Sequence, residues 1–261
     1  MKNLVFLFGL GAVLLHSQPL AGDQAPRPTL TLTPAVVLAK VKPGQGWTQT
    51  LRMSNMTGGT FRFDIEVQDV VVKNSQRTYV PAGETENGIA ASAMASPRSL
   101  ILHPQEQGSV VVTLTVPQQT PLRAVVIYFK GALDTPANEG TVGLGASLGA
   151  LITFELSQDY SFKAVGFSAT PQTATTNQVF THELLNSGSE VVVPKGATAI
   201  LDDSGHSVAK ATFPAHRLLP GESTAFSATC PVQLKPGHYR AISSFEYNNQ
   251  IVTASGEFSV P

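Results

Sequence analysis

The chain has 261 residues, enough for one large domain or two small ones. Charged residues make up 13% of it, about half of the usual share, and the formal net charge is −1. This balance excludes the broad basic surface with which proteins bind nucleic acid or anionic membranes. The 22 glycines and 18 prolines are typical of an all-β chain with many turns.

Residues 1–22 are predicted to form a secretory signal peptide. Lys2 supplies the positive start, and Leu4–Leu15 is an apolar core too short to span a bilayer. Cleavage is expected between about Ala21 and Ala25, and no cysteine follows the apolar core as a lipid attachment site. No later apolar run is long enough to cross a membrane. We therefore expect an exported protein of the periplasm or the extracellular cell envelope, without a membrane span after cleavage.

The next segments alternate as strands do. Thr29–Val41 is predicted to be a first strand, interrupted at Pro34 by an edge or a bend. Trp47–Asn55 is a second strand, and Phe61–Gln68 places every second, apolar side chain on the core and the polar ones in water. Ser75–Ser96 is polar and rich in alanine, and it is predicted to be a long loop.

The stretch Ser99–Lys130 is typical of strand, turn, strand, turn, strand. Val110–Val116 alternates cleanly, whereas Ala124–Phe129 is apolar on both faces and is therefore predicted to be a central strand. The Gly-rich stretch Gly140–Gly149 could suggest a nucleotide-binding loop, but such a loop needs a helix directly after it to hold the phosphate, and a strand follows here. Gly140–Gly149 is therefore predicted to be a flexible hairpin loop. Leu148–Leu156 alternates again and completes about the number of strands that an immunoglobulin-type sandwich needs.

The second half repeats this pattern after a linker at Ser157–Tyr160. The fold class predicted is all-β, with two tandem immunoglobulin-like β-sandwich domains at residues 27–157 and 160–261. The strands expected in the second domain are Phe162–Phe167, Val179–Leu185, Gly196–Leu201, Ser207–Phe213, Ser223–Val232, Tyr239–Tyr247 and Ile251–Val260.

Two residues of the second domain are expected to have structural roles. Cys230 is the only cysteine, so an intramolecular disulfide is impossible, and its position on the same face as Phe226 predicts a small buried hydrophobe. Leu234–Tyr239 resembles the tyrosine corner of immunoglobulin-like sandwiches. In such a corner, the hydroxyl of Tyr239 would hydrogen-bond to the segment that precedes it.

No pattern in the chain predicts catalysis. The acidic pair Asp202-Asp203 opens a predicted hairpin turn, where Asp is favoured for backbone reasons. No nucleophile motif is present, and we assign no catalytic, cofactor-binding or metal-binding residue. The histidines outside the signal peptide lack metal-ligand spacing: His103, His182, His206, His216 and His238. His206 and His238 lie in or beside predicted turns and His103 precedes Pro104, so solvated turn histidines are expected rather than metal ligands.

Two groups of residues carry a resemblance to known families. Ala95–Pro97, Ile101–Pro104 and Gln107–Val110, with the strand that runs on to Pro117, resemble a motif of bacterial envelope domains. It is similar to the Gram-positive surface proteins that interact with WxL proteins and, more distantly, to PapD-like periplasmic pilus chaperones. The second group resembles the immunoglobulin-like domain that follows in such surface proteins: Leu185–Gly188, Pro194–Gly196, Asp202–Gly205, Leu219–Gly221 and Lys235–Tyr239.

The resemblance implies a non-catalytic envelope protein that binds another polypeptide or the cell wall through an edge strand or loops. The alternative is a PapD-like chaperone for pilus or surface-fibre subunits, so the partner would be an envelope protein, a fibre subunit or peptidoglycan. Such chaperones grip a subunit's C-terminal carboxylate with an Arg in the first strand and a Lys in the last strand of domain one. Here Leu30–Val41 offers only Lys40, and Leu148–Leu156 contains no Lys. The resemblance to the WxL-interacting proteins implies a C-terminal membrane span, whereas no such span is expected here.

Overall fold

The structure is a computed structural model that describes residues 29–134 and 145–261. The predicted signal peptide lies outside the described residues. Within these residues, no helix is long and apolar enough to cross a membrane. The strands are β1 (Leu30–Thr33), β2 (Val36–Lys40), β3 (Gly46–Asn55), β4 (Phe61–Lys73), β5 (Gln76–Pro81), β6 (Met94–Ser96), β7 (Ser99–Leu102), β8 (Gln107–Thr115), β9 (Ala124–Leu133), β10 (Gly145–Glu155), β11 (Phe162–Thr170), β12 (Val179–Asn186), β13 (Lys195–Asp202), β14 (Ser207–Phe213), β15 (Ser223–Thr229), β16 (Gly237–Tyr247) and β17 (Gln250–Val260).

The first ten strands form a two-sheet sandwich. One sheet has the order β1-β3-β8-β6, and the other has the order β2-β10-β9-β4-β5, with β7 also paired to β4. Its core is filled by fully buried side chains such as Met53, Phe63, Phe129 and Phe154. Strand β9 lies between β4 and β10, which confirms the central position predicted for Ala124–Phe129.

The interruption predicted at Pro34 is where the chain changes sheets. Strand β1 pairs antiparallel with β3, whereas β2 pairs parallel with β10 in the opposite sheet. A proline has no N–H to give to a ladder, so it fits the break between the two strands.

The last seven strands form a second sandwich, with the sheet orders β11-β12-β15 and β14-β13-β16-β17. Its core contains Phe180, Phe213 and Phe245 together with the buried imidazole of His182. The fold class predicted from the sequence, all-β with two tandem sandwiches, is therefore confirmed. The sheets of the first sandwich end with β10 and those of the second begin with β11, on either side of the linker expected at Ser157–Tyr160.

The prediction of one long loop at Ser75–Ser96 was wrong. This segment contains β5, a 3₁₀ turn at Ala90–Ser92 and β6. Asn74 and Ser75 take positive φ values of 51° and 61°, and this tight turn lets β5 fold back on β4. The rest of the segment is fixed by a buried carboxylate, because Oδ1 of Asp69 accepts hydrogen bonds from the amides of Ile89 and Ala90 at 2.8 and 2.9 Å.

The loop predicted at Gly140–Gly149 was wrong for its described part. Gly145–Gly149 is the first half of β10 and pairs with β9, while residues 140–144 lie outside the described residues. The pairing with β9 overrides the poor strand propensity of Gly, Ala and Ser.

Candidate polypeptide-binding edge

Strand β10, the last strand of the first sandwich, is covered unevenly on its two sides. On one side it pairs with β9 from Gly145 to Thr153. On the other side it pairs with β2, but only from Leu151 to Glu155. Within residues 29–134 and 145–261, the segment Gly145–Ala150 therefore has no strand on its second side.

The direction of the free backbone groups follows from one hydrogen bond. The amide of Leu151 donates to the carbonyl of Ala35 at 2.9 Å, so it points away from β9. Because the N–H and C=O groups of alternate residues point to the same side of a strand, those of Gly145, Ser147 and Gly149 point away from β9 too. No strand among the described residues pairs with them, and they can accept the backbone of a further strand.

The side chains of this segment, which we call the β10 edge (Gly145–Ala150), leave it open. Their sequence is Gly-Ala-Ser-Leu-Gly-Ala, with no charged residue and no proline. Natural edge strands are usually protected by lysines, prolines, bulges or a covering element, and the described residues supply none of these here. Ala146 and Leu148 are half-buried and face the core, so a neighbouring strand would meet a shallow apolar seam beneath them.

Beyond the edge, β10 runs into the interface between the two sandwiches. The hydroxyl of Thr153 donates to the carbonyl of Val37 at 2.9 Å and accepts a hydrogen bond from Nη1 of Arg217 in the second domain. Burial lowers the pKa of the Arg217 guanidinium.

The charged pair of β2 and β10 differs from the one that the chaperone resemblance implies. Nζ of Lys40 lies 3.0 Å from Oε1 of Glu155. The stretch Leu148–Leu156 contains no lysine, and its one acid, Glu155, is the partner of the exposed Lys40.

Among the described residues, two ion pairs link the sandwiches. Nε of Arg123 lies 3.0 Å from Oε1 of Glu190, whose side chain is fully buried. Oε2 of the same glutamate accepts a hydrogen bond from the amide of Leu156 at 3.1 Å. The second pair joins Arg77 to Glu222, with Nε and Oε1 2.8 Å apart. The first pair offsets the cost of burial, because the carboxylate of Glu190 accepts hydrogen bonds from Arg123 and from a backbone amide. In the second pair, Nη2 of Arg77 donates to the carbonyl of Arg217 at 2.6 Å, whereas its Nε lies near Glu222 without the geometry of a hydrogen bond.

Apolar contacts and backbone hydrogen bonds complete this interface. Val70 and Val126 of the first sandwich pack against Val191 and Leu219 of the second. The turn between β4 and β5 also reaches across, since the carbonyl of Ser75 accepts a hydrogen bond from the amide of Ser223 at 3.1 Å. The two domains are joined by packing, ion pairs and backbone contacts at once, so the β10 edge has a defined orientation relative to the second domain.

The two residues predicted to have structural roles lie in the second sandwich and not at this edge. The hydroxyl of Tyr239 donates to the carbonyl of Lys235 at 2.8 Å. Cys230 is fully buried, and its carbonyl accepts a hydrogen bond from Nδ2 of Asn177 at 2.7 Å.

The histidines do not gather into a site. His182 is buried between the two sheets of the second sandwich, whereas His238 is exposed and contacts Oγ of Ser259 at 2.8 Å. Within the described residues, a search for three or more His, Cys, Asp or Glu side chains able to hold a metal ion found no group.

The sequence predicted an edge strand as one possible binding surface, but it did not identify β10. The Gly-rich composition that makes this edge open also led to its prediction as a loop. The interface arginines and glutamates were not predicted either, because the two partners of each pair lie far apart in the chain.

The chain matches no family model and no curated protein sequence. It is similar in fold to solved structures that include the class 5 fimbriae chaperone CfaA, at a TM-score of 0.45 and 13% identity, over 89% of this chain and all of that one. A second is the Escherichia coli chaperone DraB, with a TM-score of 0.41 and 13% identity over 89% of this chain and 98% of that one. A third is a Salmonella enterica SafA pilin–SafB chaperone complex, with a TM-score of 0.42 and 11% identity over 90% of this chain and 98% of the matched one. The likeness concerns the fold, and it does not extend to the WxL-interacting family.

Proposed function

We propose that this protein is a non-catalytic polypeptide-binding protein of the cell envelope, which adds an extended segment of its client to the β10 edge. The observation that carries the proposal is the row of outward backbone groups at Gly145, Ser147 and Gly149, which no described strand pairs. Strand addition of this kind takes its affinity from main-chain hydrogen bonds and its specificity from alternate side chains.

The chemistry of the edge sets what the client segment must offer. Gly145, Ala146 and Ser147 are small, so they do not obstruct an incoming strand. Every second side chain of the client would enter the seam beside Ala146 and Leu148, where apolar residues gain by burial. We therefore propose a client segment with alternating apolar residues.

We further propose that the client is a subunit of an exported surface fibre. The resemblance to PapD-like chaperones implies an exposed edge that lends a subunit its missing strand, and the β10 edge is open in this way. The paired Lys40 and Glu155 make this chain differ from such chaperones in one respect. Binding would depend on the edge itself and not on a carboxylate held by those two positions.

The proposal is tested with Ser147→Pro and its matched control Ser147→Ala. Proline removes an outward N–H and places its ring on the free side, but it leaves the hydrogen bonds to β9 in place, because the amide of Ser147 does not point to β9. Alanine keeps the backbone donor. Each tagged variant is produced in the organism to which the protein is native, and the cells are crosslinked briefly. The proteins captured with the variant are then quantified by mass spectrometry.

Ser147→Pro should reduce the captured client by about tenfold or more, the loss expected when several main-chain hydrogen bonds cannot form. Ser147→Ala should capture as much as the unchanged chain. A thermal unfolding curve identifies any variant that has lost its fold. Equal capture by a folded Ser147→Pro variant would overturn the proposal. A single small fibre-like subunit at a one-to-one ratio would support the fibre client, whereas cell-wall material or a large surface protein would contradict it.

A further inference from the structure

Strand β17 is a second long edge, and it lies in the other domain. It pairs with β16 along its 11 residues, and no other strand within residues 29–134 and 145–261 pairs with it. Its sequence has no lysine, arginine or proline, and its register with β16 has no bulge. Edges of this length without such protection are the ones that pair with another chain.

The other three edges of the second sandwich are protected. Strand β11 has a register shift between Ala164 and Gly166. Strand β14 carries Lys210 and also has a register shift against β13. Strand β15 receives the turn of the first domain at Ser223. Within the described part of this sandwich, β17 differs from all three.

The turn before β17 determines which of its backbone N–H and C=O groups point away from β16. Asn248 and Asn249 have φ values of 48° and 65° and form a two-residue hairpin turn, with Tyr247 opposite Gln250. In such hairpins this flanking pair exchanges both hydrogen bonds, so Gln250 points to β16. The residues that point to the free side are then Ile251, Thr253, Ser255, Glu257 and Ser259.

We propose that β17 pairs antiparallel with β17 of a second copy of this chain, about a two-fold axis at Ser255. Ser255 is the middle residue of the strand and one of the outward ones, so this register overlaps all 11 residues and pairs every outward group. Glu257 then lies opposite Thr253, whose hydroxyl can donate to the carboxylate, and Ile251 lies opposite Ser259. No charged residue faces its own copy.

The side chains near the axis favour a second copy over a strand of another protein. Ala254, Ser255 and Gly256 are small, and the two-fold axis places Ala254 opposite Gly256 and Ser255 opposite its own copy. Like charges directly opposite each other would destabilise such a pair, and the only charged side chain of β17, Glu257, is displaced from the axis and lies beside Arg240 of β16. The sequence is thus complementary to itself in this register.

The pairing would join two four-stranded sheets into one continuous sheet. An interface built on one strand from each copy is smaller than that of a stable dimer, so association should depend on concentration. It involves the second domain only and leaves the β10 edge of each copy open. The proposal therefore does not depend on the proposed function.

The test uses Ser255→Lys and Ser255→Glu in the exported chain, with sedimentation velocity over a concentration series. The unchanged chain should dimerise. Each variant alone should associate about tenfold or more weakly, because its new charge faces the same charge across the axis. An equimolar mixture of the two should form a heterodimer, since opposite charges then face each other.

The matched control is Ser244→Lys, which adds the same charge on the exposed face of β16, one strand from the edge. It should dimerise like the unchanged chain. An unchanged chain that stays monomeric over the whole series overturns the proposal. So does a Ser255→Lys variant that dimerises normally, or a mixture that associates no better than its parts. Loss of the dimer in Ser147→Pro but not in Ser255→Lys would place the self-association at the β10 edge instead.

Discussion

His182 shows how one polar side chain can join the two sheets of a sandwich. Its Nδ1 contacts the carbonyl of Gly166 in β11 at 3.1 Å, and its Nε2 contacts Oγ of Ser243 in β16 at 2.8 Å. The ring is fully buried beside Phe167, Phe213 and Phe245. The sequence did not predict this position, because a histidine in an alternating strand gives no sign of its partners in the opposite sheet.

Acid should weaken the second domain through this residue. Burial lowers the pKa of the His182 imidazole below its ordinary value of 6.5, so the folded state prefers the neutral ring. The preference for the neutral ring contributes fully to the free energy of unfolding above pH 6.5, roughly the pKa of a histidine in the unfolded chain. As the pH falls below that value, this contribution is lost, and the free energy of unfolding decreases by at most about 2 kcal/mol at pH 5. The measurement is denaturant unfolding of the unchanged chain and of His182→Gln at pH 7.5 and at pH 5.

The difference in free energy of unfolding between the unchanged chain and His182→Gln isolates the titration of His182 from that of every other group. The stability gap between them should narrow or reverse at pH 5, since glutamine does not titrate. A gap that is the same at both pH values would show that His182 is not held neutral.

The hydroxyl of Tyr239 donates a hydrogen bond to the carbonyl of Lys235 at 2.8 Å, and a role of Tyr239 as a tyrosine corner stays a prediction. Its ring also stacks on Phe258 at a centroid distance of 5.5 Å. Tyr239→Phe keeps the ring and removes only the hydrogen bond, so it should lower the free energy of unfolding by about 1 kcal/mol. Urea unfolding measures this change, and no loss of stability would mean that the corner bond is not structural.

At the scale of elements, the sequence predicts best where one face of a strand meets the core. Phe61–Gln68 and Val110–Val116 were placed correctly, because apolar and polar residues alternate there without interruption. Strand β5 was not predicted, because its residues are mostly polar and its pairing with β4 decides its conformation. The start of β10 was predicted as a loop, because its residues are small and its pairing with β9 decides its conformation. Which edges stay open depends on such long-range pairing, so neither open edge could be identified from the sequence.

At the scale of the whole molecule, the buried contacts between the sandwiches should make the two domains unfold together. Glu190→Ala would leave Arg123 buried without its carboxylate and remove the acceptor of the Leu156 amide. Breaking a buried pair in this way costs about 3–5 kcal/mol. Calorimetry of the variant should show two separate transitions where the unchanged chain shows one.

The matched control for that variant is Glu246→Ala, which removes a surface ion pair with Lys195 whose side chains are 58% and 66% exposed. Exposed pairs contribute about 0–1 kcal/mol, so this variant should keep a single transition near the original temperature. Two transitions in the unchanged chain, or one in Glu190→Ala, would contradict a coupled interface.

The measurement that tests the central claim most directly is amide hydrogen exchange along β10, at single-residue resolution, on the free chain and on the complex with its co-purified client. In the free chain, the amides of Ala146 and Leu148 should be protected by their bonds to β9, while those of Ser147 and Gly149 exchange quickly. In the complex this alternation should disappear, because the client strand protects Ser147 and Gly149 as well. Fast exchange of those two amides in the complex would contradict strand addition at the β10 edge.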